Sequence, residues 1–245
     1  MIELDTIYNE DCLTGMQRIP DGSVDCIICD LPYGTTRNAW DSVIPLDKLW
    51  EQYRRVIKRN GAIVLFSQQP FTSVLIASNL EMFRYEWIWE KENGSNFLNA
   101  HKVPLKVHEN IAVFYDELPT YNPQMRQGFK PYSCRDKGNS KNYGKMSGNV
   151  LSESKGERYP IDVVKFSRDK DKQHPTQKPV DLIAYLIRTY SNPGDTILDN
   201  TIGSGTTAVA ALREKRHFIG FELNRDYYDI ALRRIKLEQQ QQTLF

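Results

Sequence analysis

A carboxylate and an aromatic ring follow each other closely where an apolar run of the chain ends. Val24 to Cys29 is apolar except for Asp25, and Asp30-Leu31-Pro32-Tyr33 comes directly after it. An apolar run bounded by proline predicts a buried parallel strand, and α/β sheets bind ligands at the carboxyl ends of such strands. A carboxylate, the adjacent backbone carbonyl and a flat ring could together hold a planar base by its amino group. A strand followed by an ordinary polar turn would give the same tetrapeptide, so a second signal is needed.

That second signal is a glycine-rich turn near the other end of the chain. Thr196 to Ala208 predicts a short apolar strand, a turn containing Gly203 and Gly205, and the start of an alanine-rich helix. Such a turn lets a cofactor approach backbone amides, and the helix N-terminus favours an anionic group. A further strand, His217 to Phe221, ends at Glu222, 17 positions after Gly205 (222 − 205). This spacing is close to that of a carboxylate that binds ribose hydroxyls, and it suits a dinucleotide equally well.

Together these segments resemble the amino-methyltransferases of DNA. Asp30 to Tyr33 is similar to the Asp-Pro-Pro-Tyr signature of that family, and Asp199 to Thr206 is similar to its S-adenosylmethionine loop. His174 to Pro179 and Asn9 to Cys12 match two further segments. The catalytic motif precedes the cofactor loop, which is the β arrangement of the family, a circular permutation of its sheet. The resemblance covers nearly the whole chain except about 120–170.

The resemblance implies a role for each matching position. The Asp30 carboxylate and the Leu31 carbonyl would accept hydrogen bonds from the amino group of a flipped adenine, while Pro32 fixes the backbone and Tyr33 stacks on the base. The methyl donor would be S-adenosylmethionine, and no metal is needed. The positions implied to bind this cofactor are Asp11, Cys12, Lys178, Pro179, Asp199, Ile202, Gly203, Ser204, Gly205, Thr206 and Glu222.

Two departures from the family pattern concern the backbone and the packing. Leu31 replaces the first proline of the signature, but its carbonyl, the group that the family uses, is retained. Asn200 and Thr201 stand where the cofactor loop usually carries Pro-Phe. We expect this second change to alter the packing beneath the cofactor and to leave binding intact.

A basic segment separates the two motifs. From Tyr121 to Lys172 the chain has 12 Lys and Arg against 6 Asp and Glu, a balance of +6 in a protein whose net charge is +1. Such a segment suits contacts with nucleic-acid phosphates, although a solvated loop would account for the charge as well. The resemblance favours double-stranded DNA as the partner. The candidate contact residues are Lys137, Lys141, Lys145 and Lys155.

Predicted strands and helices alternate along the chain, which indicates a doubly wound, mostly parallel sheet. We expect strands at 5–9, 24–29, 61–66, 83–90, 109–115, 196–199 and 217–221, and helices at 46–59, 70–79, 179–191, 206–215 and 225–238. The strands at 83–90 and 109–115 are expected to pair at one edge of the sheet. With the resemblance, this predicts an α/β fold: a circularly permuted, Rossmann-like, S-adenosylmethionine-dependent methyltransferase with a seven-stranded sheet and helices on both faces.

A chain of 245 residues can bury a substantial core as one domain. We predict a single methyltransferase domain over 1–245, with a catalytic half (1–115), an inserted target-recognition region (116–172) and a cofactor-binding half (173–245).

The four cysteines are expected to be reduced thiols, because Cys26 and Cys29, three apart on a strand, face opposite sides and cannot easily hold a metal together. Without a signal peptide or a long apolar run, the protein is predicted to be cytoplasmic and to have no membrane partner. A homodimer and a restriction endonuclease are further candidate partners.

Other functions fit parts of the sequence. Methylation of cytosine N4 needs the same pocket, and Asp30 favours adenine because the family tends to place serine there for cytosine. RNA or a protein glutamine could occupy a similar pocket. An NAD-dependent oxidoreductase would use the glycine turn but would leave Asp30 to Tyr33 without a role. A non-catalytic DNA-binding protein would not need Asp30, Tyr33 and Glu222 to be intact.

Overall fold

The computed structural model describes residues 2–34, 42–135, 139–140, 144–145, 151–169 and 177–242. The strands are β1 (Thr6–Tyr8), β2 (Val24–Asp30), β3 (Ile57–Ser67), β4 (Phe83–Ser95), β5 (Lys106–Phe114), β6 (Tyr132–Arg135), β7 (Asn139–Ser140), β8 (Gly144–Lys145), β9 (Leu151–Ser154), β10 (Val163–Lys165), β11 (Thr196–Asp199) and β12 (His217–Phe221). The helices are α1 (Cys12–Met16), α2 (Leu46–Val56), α3 (Phe71–Ser78), α4 (Val180–Tyr190), α5 (Thr206–Arg213) and α6 (Arg225–Gln242), and Phe97–Asn99 form one turn of 3₁₀ helix.

Eight strands form the central sheet, in the order β1-β12-β11-β2-β3-β5-β4-β10. Every neighbouring pair is parallel except those made by β5, which runs antiparallel to both β3 and β4. The predicted α/β fold with a mainly parallel sheet is therefore confirmed. The sheet has one strand more than the seven expected, because β10 pairs with Ile88–Glu90 of β4. This extra strand also moves the β4–β5 pair away from the edge, where it was predicted to lie.

Element boundaries differ from prediction where pairing between distant segments decides them. The helix predicted to run to residue 59 ends at Val56, and Ile57 already pairs with Val24 of β2. Helix α1 was not predicted, since a single turn has too few residues to show periodicity. It is nevertheless capped, because the Asp11 carboxylate accepts a hydrogen bond from the Thr14 amide at 3.0 Å.

Each face of the sheet is covered by three helices and has its own apolar core. One core joins the sheet to α4, α5 and α6, and the other joins it to α1, α2 and α3. Cys26 packs in the first core and Cys29 in the second, which confirms that these two thiols face opposite sides. Burial on both faces explains why residues 24–29 of β2 and 61–66 of β3 are nearly continuous apolar runs.

The contacts divide the chain into two units. The larger comprises Met1–Asn122 and Asp162–Phe245, and the smaller comprises Pro123–Ile161. In the smaller unit, β6 pairs with β9 and β7 pairs with β8, and the Arg158 guanidinium lies over the rings of Phe129 and Tyr132. This unit falls within the predicted insertion 116–172, whose role in target recognition stays a prediction.

The described residues contain neither a candidate metal cluster nor a membrane-spanning helix. Within them, no group of three or more His, Cys, Asp or Glu side chains is placed to hold a metal ion. Their helices are too short or too polar to span a lipid bilayer. All four cysteines are free thiols, and Cys134 alone among them is exposed.

Candidate active site

A cavity of about 640 Å³ lies where β2, β11 and β12 end, a volume within the range of small-molecule pockets. Strand β2 pairs directly with β11, so the strand exits at Asp30 and Asp199 adjoin although the two residues are far apart in sequence. The predicted catalytic residues that line the cavity are Asp30, Leu31, Pro32 and Tyr33. The predicted cofactor residues that line it are Asp11, Cys12, Lys178, Asp199, Ile202, Gly203, Ser204, Thr206 and Glu222.

Both carboxylate oxygens of Asp30 accept a hydrogen bond from a side chain. The Tyr33 hydroxyl donates to Oδ1 at 2.5 Å, and Lys178 Nζ donates to Oδ2 at 2.5 Å. The Asp30 carbonyl accepts a third bond, from Thr201 Oγ1 at 3.1 Å, which ties β2 to the glycine turn. The ring of Tyr33 packs against Phe71, with ring centroids 5.3 Å apart. Asp30 is thus held in one orientation at the cavity wall.

Lys178 connects Asp30 to a second, more deeply buried carboxylate. Its Nζ lies 3.3 Å from Glu109 Oε2, and Glu109 Oε1 accepts a hydrogen bond from Lys91 Nζ at 3.1 Å. The side chains of Lys178, Glu109 and Lys91 are only 9%, 12% and 2% exposed. Two cations and two anions therefore alternate along one wall of the cavity, in the order Lys91, Glu109, Lys178, Asp30.

The pKa values of Lys178 and Glu109 favour the charged forms of these two side chains. Burial alone would lower the pKa of Lys178, but the attraction of Asp30 and Glu109 raises it above the usual lysine value. Burial alone would raise the pKa of Glu109, but Lys178 and Lys91 lower it below its usual range. Lys178 therefore stays protonated at neutral pH, and Glu109 stays ionised.

The glycine turn is held by two carboxylates with different surroundings. Glu222 accepts hydrogen bonds from the backbone amides of Gly203 at 2.9 Å and Asn224 at 2.7 Å, and burial raises its pKa. Asp199 accepts from Thr207 Oγ1 at 2.6 Å, and burial raises the pKa of Asp199 to about 7. Glu222 keeps free lone pairs beside the cavity, whereas Asp199 mainly anchors the turn to α5.

Gly205 has a packing role. A Cβ atom at this position would lie 2.8 Å from the Cβ of Ala231 in α6, and the φ angle of Gly205 is +82°. Gly205 is not among the residues that line the cavity. It therefore lets α5 approach α6, whereas Gly203, with a φ of +53°, lines the cavity and donates its amide to Glu222.

Known DNA methylases resemble this chain over most of its length. A family model described as DNA methylase matches residues 24–233. The chain belongs to the DNA methylase family. The methylase is 32% identical to the type II methyltransferase M.BglII of Bacillus subtilis, over 93% of this chain and 68% of that protein. It is 29% identical to the DNA adenine methyltransferase YhdJ of Escherichia coli K12, over 95% of this chain and 83% of that protein.

Solved structures have the same fold as the methylase. The crystal structure of the M1.HpyAVI–SAM complex matches with a TM-score of 0.64 and 25% identity, over 94% of this chain and 98% of that chain. The PvuII DNA methyltransferase, described as cytosine-N4-specific, matches with a TM-score of 0.70 and 15% identity, over 94% of this chain and 85% of that chain. At 15% identity, the second likeness shows the fold alone.

The residues of the methylase cavity fit S-adenosylmethionine. Asp30 ends β2 and Glu222 directly follows β12, and these strands flank β11, so two strand spacings of about 5 Å each separate the two strand exits. Ile202 and Leu223 add apolar surface beside Glu222. A carboxylate that can accept from ribose hydroxyls and apolar surface suited to an adenine ring match the nucleoside part of this cofactor.

Asn200 stands where the family usually has proline, and its side-chain amide makes hydrogen bonds that proline could not make. Its Oδ1 accepts from the Tyr53 hydroxyl at 2.5 Å and from Cys29 Sγ at 2.8 Å, and its Nδ2 donates to Cys12 Sγ at 3.5 Å. Burial raises the pKa of all three of these partners. One side chain thus links α1, β2 and α2 beneath the cofactor loop of the methylase, at a position where altered packing was predicted.

Several charged residues of the site were not predicted, among them Lys91, Glu109 and Arg234. Lys91 and Glu109 lie in β4 and β5 and line the cavity. Arg234 of α6 donates to the Ser204 carbonyl at 2.8 Å and to Thr206 Oγ1 at 3.0 Å. Isolated charges at these positions carry no spacing signal. Lys91 stands between two glutamates in the sequence, and Glu109 stands between His108 and Asn110, so neither is conspicuous.

The remaining predicted residues lie elsewhere. Pro179 precedes α4, where its carbonyl accepts a hydrogen bond from the Ile183 amide, and it does not line the cavity. Lys155 is exposed in the smaller unit, and Lys145 lies in β8. Lys137 and Lys141, together with the first half of the His174–Pro179 segment, lie outside the described residues.

Proposed function

We propose that this DNA methylase transfers a methyl group from S-adenosylmethionine to the N6 amine of adenine in double-stranded DNA. The observation that carries the proposal is Asp30, held by Tyr33 and Lys178 at the wall of the cavity that also contains the glycine turn. The crystal structure of M1.HpyAVI as a SAM complex supports the same donor. The donor supplies an electrophilic methyl group on a sulfonium.

The residues of the chain would act by positioning the amine. An exocyclic amine is a poor nucleophile, because its lone pair is delocalised into the ring. Hydrogen bonds from the amine to the Asp30 carboxylate and the Leu31 carbonyl favour a pyramidal nitrogen, whose lone pair can then point towards the methyl group. Each carboxylate oxygen has two lone pairs, so Asp30 can accept from the amine while it keeps its bonds to Tyr33 and Lys178.

Lys178 places a positive charge directly against the Asp30 carboxylate. A protonated aspartate would lose acceptor capacity and could not take up the amine proton. Lys178 donates to Asp30, and its own pKa is raised by Asp30 and Glu109 after the opposing effect of burial. After methyl transfer, the surplus proton on the nitrogen passes to Asp30 directly or through water.

Cytosine N4 is the alternative target, since the same geometry could hold its amine. Adenine is supported by the aspartate at position 30 and by the name of YhdJ, a DNA adenine methyltransferase. The cytosine-N4-specific PvuII enzyme has the same fold at much lower identity. Mass spectrometry of nucleosides from DNA of cells that express the protein separates the two. We expect N6-methyladenine; N4-methylcytosine without N6-methyladenine would overturn the choice of target.

Three further assignments are part of this proposal. The basic residues of the smaller unit, with Lys155 as the described example, would contact DNA phosphates. A homodimer and a restriction endonuclease with the same target site are proposed partners, in the cytoplasm. The family match argues against the oxidoreductase alternative, and the retained Asp30 and Glu222 argue against a non-catalytic protein.

A further inference from the structure

The turn between β4 and β5 exposes large apolar side chains. We call residues 93–108 the hairpin tip. Phe97 is 73% exposed and Leu98 is 85% exposed, and both lie in the single turn of 3₁₀ helix. Every residue from Phe97 to His108 is exposed, including three more apolar side chains at Val103, Leu105 and Val107. Contiguous exposed apolar surface of this kind marks an interaction site more often than it marks ordinary surface.

The ionisable residues of the hairpin tip are all basic. Residues 93–108 contain no Asp or Glu, but they contain Lys102 and Lys106 and two of the four histidines of the chain, His101 and His108. All four side chains are exposed. The surface therefore combines apolar groups with cations, which complements a polyanion that has apolar surfaces of its own.

The hairpin tip is attached to the catalytic end of the cavity. Lys91 and Ser95 of β4 and Glu109 of β5 line the cavity, and Phe97 follows Ser95 by two residues. The connection at the base is ordered, because Ser95 Oγ donates to the Lys106 carbonyl at 3.1 Å. The strands that carry the charged wall beside Asp30 thus continue directly into the exposed tip.

The turn itself has internal hydrogen bonds. Asn99 Nδ2 donates to Asn96 Oδ1 at 2.8 Å, and the Asn99 carbonyl accepts from the amides of Lys102 at 2.8 Å and Val103 at 3.0 Å. Asn96 adopts a left-handed conformation, with a φ of +70°, that starts the 3₁₀ turn. Phe97 and Leu98 are therefore presented by a folded turn.

We propose that the hairpin tip is a DNA wedge, an inference that rests on the proposed function. Phe97 and Leu98 enter the base stack at the space that the flipped base leaves, and Lys102 and Lys106 contact the flanking phosphates. An apolar wedge offsets the unstacking that base extrusion requires. A second copy of the chain is the less favoured occupant, because an isologous interface at this surface would bring lysines together without an acidic residue in the tip.

The test compares matched and mismatched duplexes that contain the target site, once sequencing of modified bases has located it. The variant is Phe97→Ala/Leu98→Ala. Its control is Leu80→Ala/Leu118→Ala, which removes side chains that are 66% and 81% exposed at other places. Since extruding a paired base requires unstacking and unpairing it, the wedge variant should methylate the matched duplex roughly tenfold or more slowly.

A mismatch opposite the target base separates a wedge from a structural role. Because a mismatched base is already easier to flip, the wedge variant should recover most of its rate on that duplex. The control variant should equal the wild type on both duplexes. Lys102→Ala/Lys106→Ala should lower the slope of log binding constant against log salt by about 2, since each lost phosphate contact contributes about 0.9.

Three results would overturn the proposal that the hairpin tip is a DNA wedge. The wedge variant could match the wild type on the matched duplex, or it could lose equal activity on both duplexes. Sedimentation could instead show that the substitution converts a dimer to a monomer, which would assign the surface to a second copy. Absence of DNA methylation by the wild type would be a different result, since it would overturn the proposed function and the wedge with it.

Discussion

At the scale of residues, the site depends on how the side chains around Asp30 orient its carboxylate. The motif predicted Asp30 and Tyr33, because their functional groups lie within four consecutive residues. It could not predict that Lys178 would donate to Asp30 or that Lys91 and Glu109 would stand behind it. These contacts form only after β4, β5 and the segment before α4 converge, and no local spacing in the sequence specifies that convergence.

Glu109→Gln tests whether this charged wall acts on catalysis. Glu109 raises the pKa of Lys178, so its neutralisation lowers that pKa. If the protonated form of Lys178 supports transfer, activity is lost as pH rises through the Lys178 pKa, and the alkaline limb of the pH–rate profile should move to lower pH. Rates measured from neutral to alkaline pH check this. Glu90→Gln is the control, since Glu90 pairs with the exposed Lys165. An alkaline limb that stays in place would contradict the role of Glu109.

Glu222→Ala tests the donor end of the cavity. The variant removes a carboxylate that accepts the amides of Gly203 and Asn224 and lines the cavity. Loss of a charged acceptor costs about 1.5–3 kcal/mol, so the dissociation constant for S-adenosylmethionine should rise roughly ten- to hundredfold. Isothermal titration calorimetry measures it, with the exposed Glu117→Ala as control. Unchanged affinity would place the donor elsewhere.

At the scale of elements, the sequence predicted those that are long or buried on both faces. Strands β2, β11 and β12 appeared as apolar runs because helices cover both sides of the sheet. Helix α1 and strand β10, with five and three residues, are too short to show a period. The end of α2 was misplaced because Ile57 pairs with Val24 across the sheet, and such pairing overrides local propensity.

Gly205→Ala tests the packing of α5 against α6. Gly194 is a matched control, because its φ of +88° is close to the +82° of Gly205, but a Cβ there would meet nothing within 4 Å. Alanine at either position adds backbone strain of about 1–2 kcal/mol. At Gly205 the clash with Ala231 should subtract a further 1–3 kcal/mol or so from the free energy of unfolding. Urea denaturation of both variants gives the difference. If both variants lose the same free energy of unfolding, α6 moves to accommodate the new methyl group without further destabilising the protein, and the packing role of Gly205 is contradicted.

At the scale of the whole molecule, the two ends of the chain build one site. Strand β1 pairs with β12 and β2 pairs with β11, so the strand that ends at Asp30 in the N-terminal part lies beside the strand that leads into the glycine turn in the C-terminal part. This arrangement follows from the motif order, which is why the fold could be predicted. The smaller unit could not be predicted in the same way, because its sequence has few apolar residues and no clear period.

The most direct test of the account is single-turnover methyl transfer by Asp30→Ala, with S-adenosylmethionine affinity measured on the same protein. Asp116→Ala, an exposed aspartate, is the control. We expect Asp30→Ala to transfer the methyl group on the order of a hundredfold or more slowly, because a directional charge-assisted acceptor is lost. Its affinity for the donor should be unchanged, since Asp30 meets the base. Transfer by Asp30→Ala at a near-normal rate would contradict the central claim.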